Sequence, residues 1–164
     1  MYKIDLVNRS DLSAIRNVNE KAIPAVNTVS ESEFEWFYEN ALYFKKVIKK
    51  VELAGFLLVL PTGLNYDSLN YKWFSKRYTD FAYIDRIAIK ENYKGNGVGT
   101  SLYLDLEKSI SDNIKLIACE YNIKPLNETS QNFHRKLNYI NVGTQLTENN
   151  TKEVSLMIKK LDER

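Results

Sequence analysis

A chain of 164 residues with 44% apolar and 27% charged residues is long enough to bury a core and too mixed in composition for disorder. Its net charge of +2 arises from basic residues spread along the chain, which excludes the concentrated basic face that holds a nucleic-acid backbone. One cysteine, Cys119, excludes an internal disulfide, and the opening MYKIDLVNRS carries no export signal. The longest near-apolar run, LAGFLLVL at 53 to 60, is too short to span a membrane and reads as a buried strand. The expectation is one cytoplasmic domain over 1–164, with neither nucleic acid nor membrane as partner.

In chain order, YKIDLV alternates like a first strand, and Ser10 or Asp11 is placed to cap a helix with Leu12, Ile15, Val18 and Ala22 on its apolar side. Pro24 stops that helix. SESEF starts a second one, with Ser30 as cap, Glu33 three residues on, and Phe34, Phe37, Tyr38 and Ala41 on one face. Two strands near 42 to 49 and 51 to 60 are separated by so little that a hairpin is predicted, the second strand being the more central. Residues 61 to 80 read as an aromatic-rich connection, unusually long for a compact domain. FAYIDRIAI (81 to 89) is a fourth strand, followed by the turn YKGNGVGTSL and a helix lined by Val98, Leu102, Leu106 and Ile110. KLIACEYN (115 to 122) reads as a fifth strand, NETSQNFHRKLN (127 to 138) as a helix, and 139 to 147 and 153 to 161 as two last strands. The fold class is α/β with a mixed sheet.

The turn at 93 to 102 carries Gly95, Gly97 and Gly99. A dinucleotide fingerprint starting at Gly95 would need glycine at Thr100, and one starting at Gly97 would need it at Leu102, so that reading fails. The Gly-Lys-Ser/Thr triplet of a nucleotide-binding P-loop does not occur. Two readings stay open. Either the successive N–H groups opening into a helix N-terminus hold an anionic ligand, or the glycines only permit tight turning and close packing.

The order DRIAIKENYKGNGVGTSLYLDLE, then a strand ending in CEYN, then NETSQNFHRKLNYINVG, resembles the GNAT superfamily of acyl-CoA-dependent N-acyltransferases, most strongly from 83 to 143. More narrowly, NYDSLNYKWFSKRY with YIDRIAI and NFHRKLNY is similar to a subgroup of bacterial acetyltransferases. The resemblance implies the family fold, a mostly antiparallel mixed sheet of six to seven strands flanked by about four helices. It also implies acetyl-CoA as co-substrate, no metal, a small-molecule or peptide amine as acceptor, and kinship with proteins that are often homodimers. Carried onto this chain, the pyrophosphate falls to Lys94, Gly95, Asn96, Gly97, Val98, Gly99 and Thr100. The pantetheine arm falls to the backbone of Ile87, Ala88 and Ile89, with Asn127, Ser130, Phe133 and His134 beside it, and an N–H near 88 or 89 meets the thioester carbonyl. Three positions depart from the pattern: Lys94 replaces Arg or Gln, Asn138-Tyr139 replaces Gly-Phe, and His134 stands in place of the tyrosine that in many relatives protonates the leaving thiolate.

The acceptor amine must be neutral to attack, so a base is required. Relatives often use a fourth-strand glutamate, and that position is Tyr83 here. Asp85 and Glu120 are the candidate carboxylates, each weighed against a salt bridge or strand-edge role, with a water chain as a third possibility. His134, the one histidine, either donates a proton to the thiolate or only contacts the cofactor. Cys119, inside LIAC, reads as inert core, which argues against an acyl-enzyme. Tyr66, Tyr71, Trp73, Phe74 and Tyr78 either cover a sheet edge or wall the acceptor pocket, in the second case with Tyr71, Trp73, Phe74 and Tyr83 touching substrate. The leading expectation is an N-acetyltransferase that works by direct attack in a ternary complex. The alternatives are a non-catalytic acyl-CoA-binding domain and a protein whose glycine turn is only structural.

Overall fold

Alternation in YKIDL forms β1 (Tyr2–Leu6), the first strand of a computed structural model that describes residues 1–162. The chain divides into two units, which are described in turn: Met1–Leu60 with Ile84–Ile110, and Pro61–Tyr83 with the described residues from Ser111 onward.

In the first unit, α1 (Leu12–Lys21) buries Leu12, Ile15 and Val18 and ends three residues before Pro24, while Ala22 lies just past its end. Its start differs from the expectation. A 3-10 turn over Arg9–Asp11 precedes the helix, and the Asp11 carboxylate accepts from the Asn8 N–H at 2.7 Å instead of capping α1. The second helix, α2 (Glu31–Asn40), begins as expected. The Ser30 hydroxyl accepts from the Glu33 N–H at 3.2 Å and the Glu33 carboxylate accepts from the Ser30 N–H at 2.7 Å, a reciprocal cap of the kind that contributes ~1 kcal/mol.

β2 (Tyr43–Lys49) pairs antiparallel with β1 and with β3 (Glu52–Leu60), and the β2–β3 hairpin turns through Lys50 in the left-handed region. Burial of every residue from Ala54 to Leu60 follows from helices on β3: α1, α2 and α4 (Val98–Ser109) all pack against it. Phe56, Leu57, Leu58, Val59 and Leu60 each contribute roughly 1.5–3 kcal/mol relative to exposure. Val98, Leu102, Leu106 and Ile110 are buried, as their spacing requires.

The fourth strand, β4 (Phe81–Ile89), belongs to both units. Its first three residues lie in the second unit, where Phe81–Tyr83 pair parallel with Leu116–Ala118 of β5 (Leu116–Lys124). β7 (Lys152–Lys160) pairs antiparallel with β5 and with β6 (Ile140–Thr147), giving a seven-stranded sheet of order β1-β2-β3-β4-β5-β7-β6. α5 (Glu128–Lys136) follows β5. The connection expected over 61 to 80 holds a further helix, α3 (Leu69–Ser75), started by the Ser68 hydroxyl accepting from the Tyr71 N–H at 3.2 Å. LNYKWFS is too short to show a helical period and rich in residues of modest helix propensity, so burial of Tyr71 and Phe74 sets its structure. Among the described residues no helix is long and apolar enough to cross a membrane.

Candidate active site

The end of β4 is shaped by a neighbour that the sequence reading passed over. A Cβ on Gly55 of β3 would lie 2.6 Å from the Ala88 carbonyl oxygen, so only glycine lets the backbone at Ala88 and Ile89 come this close. The Lys90 N–H donates to the Ala54 carbonyl at 2.8 Å and closes the same approach. A lone glycine inside an apolar strand run was the available signal. Beyond a 3-10 turn at Glu91–Tyr93, Gly95 and Gly97 take φ of +74° and +76°, and Gly97 is the N-cap of α4. A Cβ at either position would meet nothing within 4 Å. Conformation, not packing, therefore requires these two glycines, because other L-residues are strained at such φ. Gly99 lies inside the first turn of α4 without positive φ.

At the start of α4 the Ser101 N–H donates to the Gly97 carbonyl at 2.9 Å. Val98, Gly99 and Thr100 precede it, so their N–H groups have no carbonyl one turn back within the helix. Together with the positive end of a twelve-residue helix, they make an anion-favouring surface. The side chains add little: Lys94 pairs with Glu91 at 2.6 Å, and the Asn96 amide donates to the Lys94 carbonyl at 3.4 Å.

Asp85, also in the first unit, is committed elsewhere. Its carboxylate pairs with the Arg86 Nε at 2.7 Å, and both side chains are nearly fully buried. Arg86 donates onward to Asn19 Oδ1 at 3.1 Å and to Asn27 Oδ1 and O at 3.0 and 3.3 Å, with its guanidinium over Phe37. The pair thus ties the α1–α2 connection to β4. Arg86, Asn19 and Asn27 were not legible as a unit because 59 residues separate Arg86 from Asn27.

In the second unit the Tyr83 hydroxyl donates to both oxygens of the Glu120 carboxylate, at 2.8 and 2.9 Å. The Tyr83 ring is 1% exposed and lies 5.4 Å from Tyr71 and 5.9 Å from Phe74. Tyr71 and Phe74 are equally buried, and the Tyr71 hydroxyl donates to the Pro61 carbonyl at 2.6 Å and accepts from the Leu64 N–H at 3.0 Å. Burial pushes the Tyr71 phenol pKa up. Trp73 is half-buried. Its indole leaves no room for a Cβ on Gly143, which would lie 2.8 Å from the ring, and the Arg77 guanidinium covers it at 3.8 Å.

Asn127 is the N-cap of α5, its side-chain oxygen accepting from the Ser130 N–H at 3.0 Å. His134 is 3% exposed, stacked on Tyr121 at 5.8 Å and met edge-on by Phe133 and Tyr139. Its Nδ1 is 2.8 Å from the Ser130 carbonyl oxygen, which only accepts, so Nδ1 carries the proton. The Ser130 hydroxyl lies 3.2 Å from the same nitrogen. Burial holds this imidazole below its usual pKa, and the neutral ring has its lone pair on Nε2. The imidazolium is therefore the disfavoured form of this ring. Cys119 is buried, and burial raises its thiol pKa well above the ordinary value, in keeping with a core role.

No curated protein matches the chain at a significant level of sequence similarity. Solved structures do match in fold. Ard1 from Thermoplasma volcanium aligns with a TM-score of 0.81 at 12% identity, covering 99% of both chains. Arabidopsis thaliana NAA60 in complex with acetyl-CoA aligns at 0.79 and 14%, covering 98% of this chain and 100% of that one. The ribosomal-protein-S18-alanine N-acetyltransferase from Escherichia coli aligns at 0.74 and 15%, covering 98% and 94%. The family model for the acetyltransferase (GNAT) family matches residues 12–139, a span that takes in β4, the glycine turn, Glu120 and His134. With most of the chain matched by that family and its turn folded as a helix-terminal anion surface, the protein belongs to the GNAT acetyltransferase family.

Proposed function

We propose that this chain transfers the acetyl group of acetyl-CoA to a primary amine, on a small molecule or a peptide N-terminus, by direct attack with both substrates bound. The observation that carries the reading is the turn at 95 to 97, where two left-handed glycines deliver backbone N–H groups to the start of α4. A pyrophosphate is the ligand such a surface suits. Similarity in fold to a plant acetyltransferase solved with acetyl-CoA, and to an enzyme named for acetylating an alanine, supports the cofactor and the amine acceptor.

In this reading the N–H groups of 95 to 100 hold the pyrophosphate, and the backbone of Ile87 to Ile89 pairs with the pantetheine arm. An N–H at Ala88 or Ile89 stabilises the oxyanion. Glu120 takes the proton of the acceptor ammonium and later passes it to solvent, the neutral nitrogen attacks the thioester carbonyl carbon, and the tetrahedral intermediate collapses with cleavage of the C–S bond, the departing CoA thiolate taking the proton that the nitrogen sheds as the amide forms. Asp85, spent on Arg86, acts by holding the α1–α2 connection. A thiolate whose parent thiol has a pKa of about 8.5 leaves without a strong acid, so His134 contributes contact with the thiol end of the cofactor rather than its proton. The buried Cys119 favours direct attack over an acyl-enzyme. Trp73, the half-buried member of the aromatic group, borders the acceptor, while the buried Tyr71 and Phe74 support Tyr83.

Calorimetric titration with acetyl-CoA, beside a Gly97→Glu variant, tests the cofactor; peptides beginning with Ala, Ser or Met, free amino acids and polyamines then test transfer. Binding by the native chain alone, followed by CoA release with one amine class, is expected. Binding without turnover on any amine would favour the non-catalytic alternative. Absence of binding by the folded native chain would sink both.

A further inference from the structure

We infer that Tyr83 is the positioning residue for Glu120, and that the aromatic segment ahead of β4 exists to hold it in that post. The inference rests on the assignment of Glu120 as the base. Tyr83 and Ala118 are the last pair of the β4–β5 ladder, and Glu120 is two residues further along β5, on the same side of that strand as Ala118. From this position the Tyr83 hydroxyl reaches both carboxylate oxygens, at 2.8 and 2.9 Å. One proton shared between two oxygens fixes the plane of the carboxylate as well as its place, and it favours the charged form that a base requires.

The donor is itself fixed. Tyr83 is 1% exposed, with Tyr71 and Phe74 against its ring, and Tyr71 is pinned at its far end to the backbone of Pro61 and Leu64. A continuous line of contacts therefore runs from the start of the 61 to 80 segment through Tyr71 and Tyr83 to Glu120. It explains why that segment is aromatic and why Tyr71 is buried. It also explains how the chain can do without a fourth-strand glutamate: the residue in that place anchors a carboxylate carried by the next strand. On β5 Glu120 is flanked by Cys119 and Tyr121. Across on β7 stand Met157, Leu156 and Ser155, none of which is charged. From α5, Gln131 donates to the Tyr121 hydroxyl and the neutral His134 stacks on the Tyr121 ring.

The test is Tyr83→Phe in the full chain, which keeps the buried ring and removes only the hydroxyl. The Glu120 carboxyl is followed by carbon-13 NMR through a pH titration, with Glu120→Gln identifying its signal. Loss of the shared donor is expected to raise the titration midpoint by about one pH unit while the calorimetric affinity for acetyl-CoA stays within about twofold. Tyr71→Phe, which unpins the support without touching Glu120, is expected to give a smaller shift in the same direction. A midpoint unmoved in a folded Tyr83→Phe chain overturns the inference. The readout needs no acceptor: if the native chain acetylates nothing, the functional reading fails on its own evidence, and the titration still decides whether Tyr83 governs Glu120.

Discussion

The glycine turn and the aromatic segment are connections of the same chain built on opposite terms. In the turn the working groups are backbone N–H groups, and its side chains at 94 to 97 are exposed. In the aromatic segment the working groups are the side chains themselves, Tyr71 and Phe74, which are 1% exposed or less. A backbone site leaves a trace in sequence because only glycine takes positive φ without strain. A side-chain site leaves only residue types, whose meaning depends on what folds against them.

The largest effect that sharpens this contrast is expected from Gly97→Glu. It forces a carboxylate-bearing L-residue to φ near +76° and sets a negative charge where a phosphate belongs, so acetyl-CoA affinity should fall at least about a hundredfold by calorimetry. Retained affinity would show that the turn does not hold the cofactor. Next comes Glu120→Gln. It keeps the shape and accepts from Tyr83 but takes up no proton, so kcat should drop by about 10² to 10⁴ with acetyl-CoA binding kept.

His134→Phe is expected to lower kcat by less than about tenfold, well short of the loss that removal of a general acid brings. It has a second signature in stability. The folded pKa of His134 lies below the unfolded value near 6.5, so the unfolded chain binds the extra proton and the native chain loses stability as pH falls from about 6.5. Thermal melts of the native chain should show that decline, and the phenylalanine variant should lack His134's share of it. The smallest change is Asn96→Ala. With the backbone doing the binding, acetyl-CoA affinity should move by less than about twofold, and a larger loss would mean that a side chain shares the work.

Local signals carried much of the fold. β4 runs from Phe81 to Ile89 as its alternation implies, and the cap at Ser30 with Glu33 forms as written. The turn from Lys94 to Thr100 was recognisable in the same way, as three glycines between a strand and a helix. What escaped was either short or distant. α3 has seven residues and two buried aromatics, too few for a period. The Tyr83–Glu120 bond joins residues 37 apart, and the Arg86–Asn27 bonds join residues 59 apart. For the same reason Asp85 looked equivalent to Glu120: two carboxylates on neighbouring strands differ only in the partner each meets, and that partner is a property of the fold.

The burial of Cys119 has a practical side. Acetyl transfer from acetyl-CoA liberates one thiol per turnover, and the protein's single thiol is closed off in β5 opposite Met157 with its ionisation suppressed. A chromogenic disulfide added during turnover would therefore count product against a silent background. The same reagent added to resting protein would measure how often β5 and β7 part, making the lone cysteine a built-in gauge of local opening at the centre of the second unit.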